Sequence, residues 1–235
     1  HGQKAVHEEA EAREKMHFPF RLYDEDGLKA VNSGLRYTAG VRYQGTYGIN
    51  PLLYCQELKG VLMKKNVRVY EGTEVVALQG QMARTHLGSV SANNVIVAMD
   101  KMKPDFHPLS KSTYHAQTFL AVSEPLEDWD IHAIFPEKHL MCWDSKLVYT
   151  YYRLTGDHRL LLGGGSAFTT FSSRDVTGTS VIEKVIREFR SSFPEFRNIQ
   201  FIQYWPGRID TSKDLLPIVD FDDHNPQLQF ILGCV

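Results

Sequence analysis

The sequence contains little cysteine. Its three cysteines, Cys55, Cys142 and Cys234, are odd in number and lie far apart in a chain of 235 residues. No Cys-x-x-Cys pair occurs, so the spacing indicates neither a zinc site nor a disulfide framework. Scattered, unpaired cysteines are typical of a reducing compartment, and we therefore expect a cytoplasmic protein.

Long apolar runs are also absent. The run over residues 95–99 is far shorter than the roughly 20 apolar residues that cross a bilayer. The first nine residues are polar and acidic, which differs from the apolar stretch of a signal peptide. The sequence therefore predicts no association with a membrane.

The chain has no excess of charge of either sign. It carries 26 Lys and Arg against 28 Asp and Glu, a formal net charge of −2. This balance gives no electrostatic reason to expect a nucleic-acid partner. Aromatic residues make up 11% of the sequence and occur throughout it, which excludes disorder, and the length is sufficient for one or two domains.

Several catalytic motifs are missing. The sequence has no G-x-S-x-G nucleophile elbow and no H-x-x-x-H metal spacing. The triple glycine at residues 163–165 follows a predicted strand, but the third position of a G-x-G-x-x-G motif is Phe168. We therefore favour a strand end that a backbone or a flat ring approaches closely. The acidic stretch 220–224 is interpreted as a solvated turn, and no metal site is predicted.

Two kinds of secondary structure are predicted in different parts of the chain. Helices are expected at residues 4–16, after Asn50-Pro51 and at residues 180–191. The first half also has strand-like segments at residues 67–70 and 74–78 and a predicted hairpin over residues 83–91. The fully apolar segment 95–98 suggests a strand buried on both faces. The pattern in the middle of the chain predicts a mostly antiparallel sheet, with strands at residues 114–123, 147–153, 159–163 and 199–205.

Three tyrosines lie in one of these predicted strands. In an extended strand, Tyr149 and Tyr151 share one face while Tyr152 points to the other. The first two could line a pocket, since each has an apolar ring and a polar hydroxyl. The other interpretation is an ordinary sheet face packed on a helix.

Several segments together resemble the flavin-dependent amine and amino-acid oxidases of the D-amino-acid oxidase superfamily. The most specific is Tyr-Tyr-Arg-Leu-Thr-Gly-Asp at residues 151–157 with the triple glycine that follows, which is similar to the gamma-glutamylputrescine oxidoreductase branch. The resemblance extends over about residues 18–235. Its other segments are Gly-Ile-Asn-Pro at 48–51 and residues 67–75, 92–98, 204–210, 214–219 and 230–234.

The resemblance implies an α+β fold with two parts. These are a large, mostly antiparallel substrate-domain sheet with helices and the remaining strands of an FAD-binding α/β domain. Residues 1–103 would hold N-terminal helices and part of the FAD domain, 104–220 the substrate domain, and 221–235 a returning FAD-domain strand. The implied cofactor-binding residues are Val75, Ala98 and Gly233, with the Val75 backbone at the adenine end of FAD.

The resemblance also implies a substrate site. Tyr149 and Tyr151 match the strand that faces substrate in the family. Arg208 lies one position before the arginine that binds the carboxylate in relatives that oxidise amino acids, and the matching position here is Ile209. A bidentate guanidinium clamp on a free amino acid is therefore not expected.

The sequence differs from the family pattern at both ends. The G-x-G-x-x-G loop and the Gly-rich segment after residue 235 are missing, so we expect an internal fragment that is inactive alone and binds no FAD. The intact protein is expected to oxidise a small-molecule amine, primary or secondary and like gamma-glutamylputrescine, to an imine with release of hydrogen peroxide. The alternatives are a glycine- or sarcosine-type oxidase and a cofactor-free binding module. A homo-oligomer is also expected, because a fragment exposes surfaces that are normally covered.

Overall fold

The computed structural model describes residues 2–100, 102–103, 106–137, 140–166 and 178–233. The chain divides into two compact units. Unit 1 comprises His1–Tyr47 and Gln117–Gly207, and unit 2 comprises Gly48–Ala116 and Arg208–Val235. These bounds differ from those of the predicted flavin and substrate domains, whose assignment stays a prediction. The motif positions Phe168 and Cys234 lie outside the described residues.

The described α-helices begin and end close to the positions that their capping residues predict. The Asn50 side chain accepts hydrogen bonds from the backbone N–H groups of Leu52 and Leu53, and proline occupies the first helical position. Asp24 accepts from Gly27 N in the same way. The helices are α1 Gly2–Lys15, α2 Glu25–Lys29, α3 Pro51–Lys64, α4 Asp128–Ile134 and α5 Ser180–Ser192, with short 3₁₀ turns at Pro108–Ser112 and Pro194–Phe196.

Unit 1 is built on a five-stranded sheet and a separate pair of strands. The strands are β1 Phe20–Tyr23, β2 Gly40–Tyr43, β7 Thr113–Pro125, β8 Cys142–Trp143, β9 Tyr151–Leu154, β10 Arg159–Gly164 and β11 Phe201–Ser212. The first four residues of β7 and the last five of β11 belong to unit 2. The order in the sheet is β11-β7-β10-β9-β8. The pairings of β7 with β10, β10 with β9 and β9 with β8 are all antiparallel. The antiparallel pair of β1 with β2 lies beside helix α1.

One face of this sheet is covered by helix α5. The helix places apolar side chains at i, i+1, i+4 and i+8, and all four are buried. The sheet contributes alternate residues, including Phe119 and Ala121 of β7 and Leu160 and Leu162 of β10. The helical residues of this core are Val181, Ile182, Val185 and Phe189.

Unit 2 contains two small sheets. Their strands are β3 Val75–Gln79, β4 Met82–Thr85, β5 Gly88–Ser91, β6 Val95–Ala98, β12 Ile218–Asp222 and β13 Asn225–Leu232. In the sheet with the order β12-β13-β6, β12 runs antiparallel to β13 and β13 runs parallel to β6. The other sheet is the antiparallel meander β3-β4-β5, which confirms the predicted hairpin. A core of five residues forms around the β12-β13-β6 sheet: Val97, Met102, Leu228, Phe230 and Leu232.

Two predictions for unit 2 were wrong. Residues 67–70 form no strand. Asn66 has a positive φ, and Val67 N donates to Leu62 O, so the chain closes the end of α3 here. Strand β6 is buried on one face only, since Ile96 remains 59% exposed. Among the described residues, nothing covers that second face.

The predicted fold class is confirmed. The described residues form a mixed α and β fold in which most strand pairings are antiparallel. The stretch 220–224 comprises the end of β12 and the turn that leads to β13, where Asp222 accepts a hydrogen bond from His224 N, as a turn residue does. None of the helices in the described part of the chain is long and apolar enough to cross a membrane.

Candidate functional site

The Tyr151 ring lies against a glycine on the neighbouring strand. It stands directly opposite Gly163 in the pairing of β9 with β10. A Cβ atom on Gly163 would lie only 2.2 Å from Tyr151 Cζ, so no larger residue fits beneath the ring. This confirms the prediction that a flat ring approaches the triple glycine closely.

The Tyr151 hydroxyl is held by Thr118 of β7. The Thr118 hydroxyl donates to the carbonyl oxygen of Gly164 at 3.1 Å. Its single hydrogen is therefore used, and it accepts from Tyr151 Oη at 3.3 Å. Burial raises the pKa of the Tyr151 phenol, which is thus an uncharged donor at neutral pH.

Tyr149 is not in the strand, contrary to the prediction. Asp144 Oδ1 accepts from the backbone N–H groups of Lys146 and Thr150, and Asp144 N donates to Thr150 O. These bonds close a loop over residues 144–150, so β9 begins only at Tyr151. The two rings still lie together, with centroids 5.6 Å apart, and Tyr149 is 48% exposed.

Tyr152 points away from these two rings, as the strand alternation predicts. It is only 2% exposed and accepts a hydrogen bond from Asn32 Nδ2 at 2.8 Å. Burial raises the pKa of Tyr37 to about 12 and that of the Cys142 thiol to about 11 in the same cluster. Cys142 is therefore a half-buried thiol that stays protonated at neutral pH. This polar cluster fixes β9 from the side opposite to Tyr151.

In unit 2, the structure brings together two of the predicted cofactor residues. Ala98 is the last residue of β6 and stands opposite Ile231 of β13, so Gly233 follows at the same edge. Both strands of this parallel pair end here, and ligands of open α/β sheets bind at such carboxyl ends. Gly233 has a φ of +73°, and a Cβ there would lie 3.3 Å from Ser212 Cβ.

The end of β11 adds buried polar groups to this edge. Asp210 N donates to Asp100 Oδ1 at 2.7 Å, just beyond the end of β6. The Asp210 carboxylate and the Thr211 hydroxyl are enclosed and make no hydrogen bond of normal geometry within the described residues. Burial raises the pKa of Asp210, which Thr113 and His115 partly offset. A buried hydroxyl without a partner is unfavourable, so a polar ligand at this edge would stabilise the Thr211 side chain.

These residues fit a bound cofactor. A side chain on Gly233 would meet Ser212 and Leu216, so the glycine lets the chain pack closely at this edge, and the Thr211 hydroxyl can donate a hydrogen bond to a ligand or accept one from it. A buried carboxylate disfavours a phosphate, so the edge suits an uncharged part of FAD better than its pyrophosphate.

Two further predicted residues lie elsewhere in unit 2. Val75 is a half-buried residue opposite Thr85 in the β3-β4-β5 meander, and it shares no sheet with Ala98. Arg208 is a half-buried residue of β11, two positions before Asp210, so it lies on the same side of an extended strand. Ile209, between them, is exposed. The roles of these residues in binding stay predictions.

Sequence reasoning missed three histidine–carboxylate pairs. His107 Nε2 lies 2.9 Å from Asp222 Oδ2, and His115 Nε2 lies 3.6 Å from Asp210 Oδ1. In unit 1, the exposed His158 Nδ1 lies 3.8 Å from Asp128 Oδ1. The partners are far apart in the chain, and no local spacing could have revealed them. Within the described ranges, no group of three or more His, Cys, Asp or Glu side chains could hold a metal ion.

The curated relatives are oxidoreductases. The chain is 24% identical over 222 residues to a probable oxidoreductase OrdL of Haemophilus influenzae, covering 91% of this chain and 49% of the relative. It is 26% identical over 204 residues to the gamma-glutamylputrescine oxidoreductase of Escherichia coli, covering 83% of this chain and 46% of that relative. The chain thus spans about half the length of these relatives.

Solved structures of similar fold have low sequence identity to this chain. Glycine oxidase from Geobacillus kaustophilus superposes with a TM-score of 0.77 at 14% identity, covering 94% of this chain and 59% of that one. L-proline dehydrogenase from P. horikoshii gives a TM-score of 0.80 at 14% identity, covering 95% of this chain and 61% of that one. At this identity, the likeness establishes the fold. The family model described as FAD dependent oxidoreductase, DAO, matches residues 1–234, and the chain belongs to this family.

Proposed function

We propose that this chain is part of an enzyme that oxidises a primary or secondary amine, similar to gamma-glutamylputrescine, to an imine. The observation that carries the proposal is the tyrosine surface of unit 1, where Tyr151 lies over Gly163 and beside Tyr149. Uncharged aromatic rings suit an alkyl chain and a nearby amine. FAD, when bound, supplies the acceptor for the hydride and returns the electrons to oxygen.

The two units have different tasks in this proposal. Unit 1 orients the substrate, because Thr118 and Gly163 together fix the Tyr151 ring and its hydroxyl. Unit 2 provides the cofactor edge with Ala98 and Gly233, and Val75 would contact the adenine end. The protein contributes orientation and exclusion of water, as is general for cofactor enzymes.

A glycine- or sarcosine-type oxidase is the second candidate. It requires a cation for the substrate carboxylate, and half-buried Arg208 is the residue that would provide it. The exposed Ile209 at the matching family position favours the amine instead.

The test is expression of the complete reading frame that contains these residues. We expect a flavin absorbance spectrum and peroxide release with gamma-glutamylputrescine, and much less with glycine or sarcosine. Activity confined to glycine and sarcosine would establish the second candidate, and a colourless protein would favour a binding module. The 235-residue chain alone is expected to bind no FAD, and stoichiometric flavin binding by it would contradict that prediction.

A further inference from the structure

The strongest unexplained feature is the pair formed by His115 and Asp210 in unit 2. His115 lies near the start of β7 and Asp210 near the end of β11, with 3.6 Å between Nε2 and Oδ1. The Asp210 side chain is 1% exposed, whereas that of His115 is 29% exposed. The pair therefore has an enclosed carboxylate and an imidazole that solvent or a ligand can reach.

Enclosure makes this carboxylate sensitive to the charge of its neighbours. An isolated buried carboxylate is unfavourable as an anion unless a positive group lies close to it. The titratable groups that act on Asp210 are His115, which favours the anion, and Asp100, which disfavours it. A distance of 3.6 Å exceeds that of a hydrogen bond, but catalytic hydrogen bonds are often long before a ligand binds.

The pair belongs to the carboxyl edge where the cofactor residues lie. The backbone N–H of Gly233 is one of the groups that lower the pKa of Asp210, and Asp100 accepts the hydrogen bond from Asp210 N. A proton acceptor at this edge would lie beside Ala98 and Gly233, the residues predicted to contact the flavin.

An alkylammonium must lose a proton from its nitrogen before the amine is oxidised, and here the reasoning rests on the proposed function. An alkylammonium has a pKa of about 10, like lysine, so at neutral pH its nitrogen carries a proton and no lone pair. We infer that His115 accepts this proton and that Asp210 positions the imidazole and stabilises its cation. The ammonium N–H bond breaks, an N–H bond forms on the imidazole, and the electron pair stays on the substrate nitrogen.

The first experiment tests the pair in the 235-residue chain without cofactor. The ¹³C signal of the Asp210 carboxyl, assigned with D210N, is followed against pH in the wild type and in H115Q. Loss of the neighbouring cation should move the midpoint of this titration upward by about one pH unit. The matched control is H107Q, which breaks the other pair of unit 2 and should leave the Asp210 midpoint in place. An Asp210 midpoint that is equal in wild type and H115Q overturns the pairing.

The second experiment measures amine oxidation against pH in the flavoprotein from the complete reading frame. H115Q should lower kcat about 100-fold at pH 7 with little change in KM, because a general base contributes at least this much. The loss should shrink towards pH 10, where the amine loses its proton without help. A loss of equal size at every pH overturns the role of His115. If the wild type oxidises no amine, the proposed function fails, while the carboxyl titration still decides whether the pair exists.

Discussion

Replacing Gly163 with alanine tests whether this glycine sets the position of Tyr151. The new Cβ would lie 2.2–2.5 Å from Cζ, Cε2 and Oη of the ring, well inside contact distance. The ring must move away from the strand, and its hydrogen bond with Thr118 lengthens. Overpacking of this kind costs about 1–3 kcal/mol.

The expected result of G163A is a loss of about 2 kcal/mol in the free energy of unfolding by urea. For a chain of this size, that loss lowers Tm by about 4–8 °C. The matched control is G207A, since Gly207 is also a strand glycine of unit 1, but a Cβ atom added to it would have no other atom within 4 Å. G207A should be neutral or stabilising by about 0.4–1 kcal/mol.

A double-mutant cycle identifies the cause of the loss. Removal of the ring with Y151A should abolish most of the cost of G163A, giving a coupling energy of more than about 1 kcal/mol. Equal destabilisation by G163A in the presence and absence of the ring would refute the reasoning, as would a G163A protein as stable as G207A.

Three further predictions concern other parts of the chain. N32A should lower the free energy of unfolding by about 1–3 kcal/mol, because it leaves the buried Tyr152 hydroxyl without the Asn32 donor. Urea unfolding measures this loss, and an unchanged unfolding midpoint would contradict the prediction. The hydrogen bond with His107 lowers the pKa of Asp222. The pair therefore stabilises the fold above the ordinary Asp pKa of about 4, and this stabilisation is lost as the pH falls through the lowered pKa of Asp222. Acid unfolding followed by circular dichroism should therefore begin at higher pH in H107Q than in wild type. Helix α3 has no buried residue among those described and exposes several large apolar side chains, so we expect the chain to self-associate through this helix. Light scattering should show a smaller species for L58E than for wild type, and a monomeric wild type would count against self-association.

Local patterns predicted much of the secondary structure. Helix α5 follows from an apolar face with the period of a helix and from Pro194 after its end, and both are visible in the sequence. Asn50-Pro51 located the start of α3 for the same kind of reason. The prediction failed at residues 147–150, where the hydrogen bonds of Asp144 close a loop that strand propensity does not reveal.

The sequence alone determined the fold class, the family resemblance and the need for a small residue at Gly163, because each depends on short segments of the chain that can be interpreted without knowing their contacts. Only the tertiary structure decided which ring lies over that glycine and that Ala98 and Gly233 share an edge. It also decided that His115 faces Asp210. These contacts depend on strand register, and a register is set by the packing of whole sheets rather than by any local pattern.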